Sequence, residues 1–298
     1  MPEVVTLGEC MAVLYPPEPV EIERSRTLLL DIGGAEANLA IRMRRLGHAA
    51  RFISRVGDDP FGRRILNGLE EHGVDTVFVT IDPTNPTGVY FREWRPDGAR
   101  KVYYYRAGSA ACALTPADVP PEAFTGARIV HLTGITPALS PGCAATVTRA
   151  IELAHLAGAQ VSFDPNYRPR LWDESEARDA LLPLISQIDI LLMGHEDARA
   201  IFGTVEAEAS MEQAASLGPK IVVLKQAERG ACALFGGRFV QVQAHPVEKV
   251  VDPVGAGDAF DAGFLAGLLR EYDLEAALNF GARLGAAAVG TLGDYAGD

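Results

Sequence analysis

Short apolar runs rich in β-branched residues alternate along this chain with longer segments of helical periodicity. That alternation limits the fold more than any other feature of the sequence. Strand candidates are Val4–Gly8, Arg51–Val56, Ile129–Thr133, Gln160–Asp164, Ile188–Met193 and Ile221–Lys225. Helical patterns follow at Ala35–Leu46, Phe61–His72, Gly142–Ala157, Ser175–Ser186, Glu196–Phe202, Gly257–Leu269 and Leu274–Val289. Strand-helix alternation implies right-handed crossovers, hence an α/β fold with a mainly parallel sheet and helices on both faces.

One region departs from the pattern. Thr87–Trp94 and Arg100–Arg106 flank the turn Pro96-Asp97-Gly98, which reads as a β-hairpin, and Thr27–Ile32 is a further strand candidate. These strands predict a small β-sheet lid, inserted at about 13–33 and 87–108, on a single domain spanning 1–298. Length alone allows one or two domains, since domains run roughly 100–200 residues. No internal repeat or linker-like tract divides the chain.

The composition, 48% hydrophobic and 22% charged, is that of a folded globular protein. A formal charge of −12 argues against nucleic-acid or membrane-surface partners, which reward basic patches. It leaves room for an anionic small ligand, because local arginines and backbone N–H groups decide that. Cys10, Cys112, Cys143 and Cys232 are widely spaced, form no CxxC pair, and read as thiols in a reducing compartment. The opening MPEVVTLGE has no secretory pattern and no apolar run reaches the ~18 residues of a membrane span, so a cytoplasmic location is expected. The six histidines lack ligand spacing, and no metal site built from protein alone is expected.

The stretch DPVGAGDAF, from Asp252 to Phe260, carries the most chemistry. Ligands of open α/β sheets bind outside the carboxyl ends of the strands. Glycines at Gly255 and Gly257 would let the backbone approach a ligand where a helix begins. The free N–H groups and dipole of that helix favour negative charge. Gly255, Ala256 and Gly257 then form an anion hole, and Asp258 is placed to take a proton from a hydroxyl attacking phosphorus. The tetrapeptide also reads as a tight turn followed by a first-turn acid that stabilises the helix.

A second stretch bears on that choice. Gly33-Gly34-Ala35-Glu36-Ala37-Asn38 opens the first long helix, and Val56-Gly-Asp-Asp-Pro-Phe-Gly62 follows. With the C-terminal D..GAGDAF motif, these residues resemble the ribokinase-like (PfkB-type) carbohydrate kinases, over essentially the whole chain. The variant GGAE.N, with YYYRAGS at 103–109, GITPALSP at 134–141 and DPNYR at 164–168, is similar to the 2-keto-3-deoxygluconate kinases.

The resemblance implies a ribokinase-like three-layer fold and ATP-dependent phosphorylation of a sugar acid's primary hydroxyl, giving the 6-phosphate of 2-keto-3-deoxygluconate. Asp258 would be the base and Gly255–Gly257 the anion hole. Gly34, Ala35, Glu36 and Asn38 would lie at the sugar, with Tyr90, Tyr104, Arg106, Arg168 and Asp294. Glu36 stands where the family more often has a small residue. Asn166, Arg168, Gly194, Lys225, Gly230 and the Gly255–Asp258 loop would face nucleotide and phosphates. Magnesium would arrive with ATP.

Two departures from the family pattern stand out: Gly194-His-Glu-Asp197 replaces an Asn-x-x-Glu segment, and Ala227-Glu-Arg-Gly230 replaces Gly-x-x-Gly. Asp59-Pro60 reads as a helix cap and Asp261 as a solvated or locally bonded helix residue. Alternation along the hairpin puts Tyr104 and Arg106 on one face, where the arginine fork could hold a substrate carboxylate. Two other functions stay open: a fructokinase-like enzyme acting on a neutral sugar, and a non-catalytic sugar- or nucleotide-binding regulator. An exposed lid sheet suggests association with a second copy.

Overall fold

Seven parallel strands form the centre of the main sheet in the computed structural model, which describes residues 1–94, 100–204, 206–291, 293 and 295. In chain order they are β1 (Val4–Leu7), β4 (Ala50–Gly57), β5 (Val79–Asp82), β8 (Ile129–Thr133), β9 (Gln160–Asp164), β10 (Ile190–Gly194) and β11 (Ile221–Lys225). The antiparallel strands β12 (Ala231–Phe235) and β13 (Arg238–Val242) extend one edge, giving the order β13-β12-β11-β10-β9-β8-β1-β4-β5 among the described residues. The inner strands are buried on both faces, so they are near-continuous apolar runs, as in Ile-Leu-Leu-Met of β10 and Ile-Val-Val-Leu of β11.

Helices cover both faces. Leu39 and Ile41 of α1 (Ala35–Arg45), Ile65 of α2 (Pro60–Glu71), Phe264 of α7 (Ala256–Leu269) and Leu278 of α8 (Leu274–Val289) pack on one side. Val147 of α3 (Pro141–Leu156), Leu181 of α4 (Glu174–Ile185), Ile201 of α5 (His195–Phe202) and Met211 of α6 (Ala207–Leu217) pack on the other. Helix starts follow local chemistry: Asp59 caps α2 ahead of Pro60, accepting from Gly62 N at 2.8 Å, and Asp273 caps α8.

The strand order reverses between β1 and β8, so a crevice opens at their carboxyl ends. Beside it stands the second sheet: β2 (Met11–Tyr15), β3 (Leu29–Gly33), β6 (Val89–Trp94) and β7 (Arg100–Tyr105), in the order β3-β2-β6-β7. Three residues separate β1 from β2, and Gly34 alone separates β3 from α1, so this sheet is rooted at the mouth of the crevice. The expected hairpin pairs from Val89↔Tyr105 to Trp94↔Arg100; its turn, Pro96–Gly98, lies outside the described residues.

Sequence periodicity did not reveal β5, α6 or the β12-β13 hairpin. Edge strand β5 is half-exposed, and α6 (AEASMEQAASL) buries little beyond Met211. The hairpin did carry a signal: Gly236-Gly237 joins two strand-like runs, both at positive φ as a tight primed turn requires. No helix among the described residues is long and apolar enough to cross a membrane.

Candidate active site

Helix α7 begins at Gly255, whose φ of +78° lies in the left-handed region open to glycine. Ala259 N–H is the first to bond within the helix, to Gly255 O at 2.9 Å. Ahead of it, Ala256 N–H donates to Pro253 O at 3.3 Å. Gly257 and Asp258 therefore supply the first-turn N–H groups that lack a helical acceptor. The start of α7 is an anion-favouring end, and Gly257 is exposed.

Asp258 is half-buried in the first turn of α7. Its Oδ2 accepts from Nδ2 of Asn38 at 2.7 Å, joining residues 220 apart. Asn38 sits in the first turn of α1, where its Oδ1 accepts from Gly34 N–H at 3.4 Å. The two glycine-led helix starts thus meet at one carboxylate. Burial raises the pKa of Asp258; the Asn38 amide and the field of Arg168, which is exposed, work the other way.

Behind Asp258 lies a charge network. Lys225, at the end of β11, donates to Asp164 Oδ2 at 2.8 Å and to Asp261 Oδ1 and Oδ2 at 3.0 and 3.1 Å. Asp261 is one turn beyond Asp258 on α7. It is buried and ion-paired, which corrects the expectation of a solvated helix residue. Burial raises its pKa well above the carboxylate range. At Asp164 burial pushes upward too, but Lys225 prevails and holds the pKa low. For Lys225, burial alone would lower the pKa; Asp164 and Asp261 reverse that and raise it.

The residues expected at the nucleotide cluster around this network, at the ends of β9, β10 and β11. Asn166 adopts φ +42° and donates its N–H to Asp164 Oδ1 at 2.9 Å. Gly194 N–H donates to Asp197 Oδ2 at 2.7 Å, and Asp197 Oδ1 accepts from Tyr167 N–H at 2.7 Å. Burial, helped by Asp164, pushes Asp197 up to about 6. The acid of the Gly194–Asp197 segment is therefore engaged in holding two strand-end loops. Gly230 is buried at φ +89°, its carbonyl accepting from Gln226 N–H at 2.8 Å.

On the other side of Asp258, Glu36 is buried beneath the crevice. Its Oε1 accepts hydroxyls from Thr133 at 2.7 Å and Thr136 at 2.8 Å, and burial lifts its pKa to about 7. A Cβ on Gly8 would collide with this carboxyl, so glycine at the end of β1 makes its room. Ala35 and Gly34 open α1 beside it, and Gly34 packs against the carbonyl of Glu9.

The small sheet contributes the remaining candidates. Tyr90 is buried and faces Tyr104 in register, ring centroids 5.6 Å apart; Tyr104 is exposed. The Arg106 guanidinium lies 5.7 Å from the Tyr104 ring centroid and is ion-paired with Glu9. Glu9, unnoticed in the sequence, is buried and also accepts from the Ser109 hydroxyl. Arg106 Nε is buried without a hydrogen-bond partner among the described residues. Asp294 lies outside the described residues.

A parallel sheet flanked by helices, with a second sheet at the mouth of its crevice, defines a ribokinase-like fold. The pfkB family carbohydrate kinase model matches residues 1–297. A 2-dehydro-3-deoxygalactonokinase of Haloferax volcanii is 35% identical over 297 residues, covering 99% of this chain and 93% of that protein. A 2-dehydro-3-deoxygluconokinase of Thermoproteus tenax is 35% identical over 298 residues, covering 99% and 90%. A fructokinase of Klebsiella pneumoniae is 33% identical over 268 residues, covering 89% and 84%.

Among solved structures, a PfkB protein from Polaromonas sp. JS666 superposes with a TM-score of 0.91 at 34% identity, covering 97% of this chain and 96% of that one. A candidate ribokinase II from E. coli, solved with ATP and Mg2+, gives a TM-score of 0.90 at 26% identity, covering 99% and 95%. The chain belongs to the pfkB family of carbohydrate kinases. It is a phosphotransferase whose acceptor is a carbohydrate alcohol.

Proposed function

We propose that this kinase transfers the terminal phosphoryl group of ATP to the primary hydroxyl of a 2-keto-3-deoxy sugar acid, 2-keto-3-deoxygluconate, giving the 6-phosphate. Arg106 carries the reading. It is a largely buried guanidinium beside Tyr104 with an Nε donor that no acceptor among the described residues uses, and an unsatisfied buried donor calls for a ligand acceptor. The 2-dehydro-3-deoxy sugar-acid kinases among the relatives support the same class.

Asp258 accepts the hydroxyl proton, and Asn38 keeps its carboxylate oriented and favours the ionised form. The N–H groups of Gly257 and Asp258 and the α7 dipole face the charge developing on the transferred group. Asn166, Arg168, Gly194 and Gly230 are the strand-end positions for the nucleotide, where Mg2+ arriving with ATP would neutralise phosphate charge. Lys225 supports this floor through Asp164 and Asp261. The small sheet acts as the lid of a single domain, excluding water that would otherwise hydrolyse ATP.

The Glu9–Arg106 ion pair favours a second reading, phosphorylation of a neutral ketose, because Arg106 already has one carboxylate partner. Steady-state kinetics on 2-keto-3-deoxygluconate, 2-keto-3-deoxygalactonate and fructose separate the two. A hydrogen bond to a charged group contributes about 1.5–3 kcal/mol, so Arg106→Ala is expected to raise KM for the sugar acid roughly 10- to 150-fold. Fructose turnover should change far less. Higher kcat/KM for fructose in the unmodified protein, or equal losses on both substrates, overturns the sugar-acid assignment.

A further inference from the structure

Arg92 and Asp252 form the most deeply buried ion pair described in the molecule, and neither belongs to the site residues above. Their side chains are 1% and 0% exposed, with Nη1 of Arg92 3.0 Å from Oδ2 of Asp252. Arg92 lies on β6 of the small sheet, two residues beyond Tyr90 and on its face, with its guanidinium 4.9 Å from the Tyr15 ring centroid. Asp252 lies on the other body, three residues ahead of Gly255. Its N–H and that of Val251 donate to Val289 O at the end of α8, and its Oδ1 accepts from Val254 N–H at 3.2 Å.

Desolvating two charges offsets most of what a buried pair gains, and apolar residues of similar volume often serve stability as well. The location of this pair suggests another use. One partner is fixed in the sheet bearing Tyr90 and Tyr104, and the other anchors the turn that leads into Gly255–Asp258. A second tie, Arg170 Nη1 donating to Val102 O, joins the same sheet to the loop after β9.

We infer that Arg92 and Asp252 are a positioning pair that makes the anion-binding start of α7 sensitive to the seating of the small sheet. Sugar bound against the sheet thereby sets the backbone that receives the phosphates. The inference rests on the reading of the sheet as the sugar-side lid and of α7 as the phosphate side.

Removing one charge strands the other, so the test replaces both: Arg92→Met with Asp252→Asn. The readout is the affinity of a non-hydrolysable ATP analogue with and without saturating sugar. In the unmodified protein, sugar is expected to tighten the analogue at least about fivefold, the usual lower range of such coupling. In the folded double variant the factor should fall below about twofold, and kcat at least about tenfold, with the sugar's own affinity changed less. Arg92→Lys, which keeps the charge but loses the planar fork and its stacking on Tyr15, should lose at least half of the coupling and covers failure of the double variant to fold. Unchanged coupling and kcat in either folded variant, or no coupling in the unmodified protein, overturns the inference. Inactivity toward the sugar acid overturns only the substrate assignment, since the coupling is measured with whichever tested sugar turns over.

Discussion

Lys225→Met separates a lysine that holds the floor of the site from one that serves only as a phosphate ligand. The Lys225 side chain is 15% exposed, those of Asp164 and Asp261 5% and 1%, and the ion-pair distances are 2.8 and 3.0 Å. At an effective dielectric of about 20, each pair has a gross attraction of roughly 6 kcal/mol. Desolvation of three ions cancels most of that. Deleting one partner of such a cluster, however, leaves its counter-charges buried and unpaired, at a cost of about 3–5 kcal/mol.

The loss must depend on pH. Without the ammonium, the folded-state pKa of Asp164, now held low, rises above the unfolded value near 4, and that of Asp261, already raised by burial, rises further. A raised carboxylate pKa means that stability falls as pH increases through the window between the unfolded and folded values. The variant is thus expected to be closest to the unmodified protein near pH 4 and furthest from it near pH 8. Urea unfolding followed by circular dichroism at both pH values measures this directly. Adding Asp261→Asn should recover more than half of the loss at pH 8, because one stranded charge is gone. A deficit below about 1 kcal/mol, equal at both pH values, would show that the network does not hold this floor and would leave Lys225 free for phosphate.

Glu36→Gln tests the buried acid under the crevice. With a folded pKa of about 7 against an ordinary 4.5, Glu36 makes the unmodified protein lose roughly 3 kcal/mol of stability between those values as pH rises. Glutamine removes that slope, so urea midpoints of the two proteins should diverge across the window; parallel curves refute the buried-acid assignment. Asn38→Leu removes the 2.7 Å bond to Asp258. The acid limb of kcat/KM should move to higher pH and turnover fall roughly 10- to 150-fold, the worth of a hydrogen bond to a charged group. An unmoved limb means that Asn38 does not tune Asp258. Asp59→Ala loses a cap that accepts from Gly62 and Thr87 N–H, both at 2.8 Å. It should lower stability by about 1–2 kcal/mol with kcat per folded molecule intact; a kcat loss without a stability loss contradicts the capping role.

The layered fold was legible because its causes are local. Strands buried on both faces are mostly apolar, as in Ile190–Met193, and helices begin where Asp59-Pro60 or Asp273 can cap them. The start of α7 was legible for a similar reason: a backbone turn at φ +78° followed by a helix leaves its mark as glycine. Glu36 was not legible in the same way. The family pattern suggests a sugar contact, yet its partners Thr133 and Thr136 lie about a hundred residues away and its room is made by Gly8. Nothing within one turn of α1 encodes those contacts.

The ionic partners were hidden for the same reason, although their existence left a trace. Asp261 sits among Ala259, Phe260, Ala262 and Phe264 in a helix with hardly any polar face. Arg92 shares a sheet face with Met11, Val13 and Tyr90, and Lys225 ends the apolar run Ile221–Leu224. A charge at a position whose neighbours are all buried cannot escape to water, and an isolated ion is too costly to bury. Periodicity therefore predicts that each of these residues has an opposite charge within reach, while leaving its sequence position unspecified. In this chain those counter-charges gather at the carboxyl ends of the strands and at the loop and first turns of α7. The charges that break the apolar pattern thus mark the crevice floor and the loop leading into Gly255.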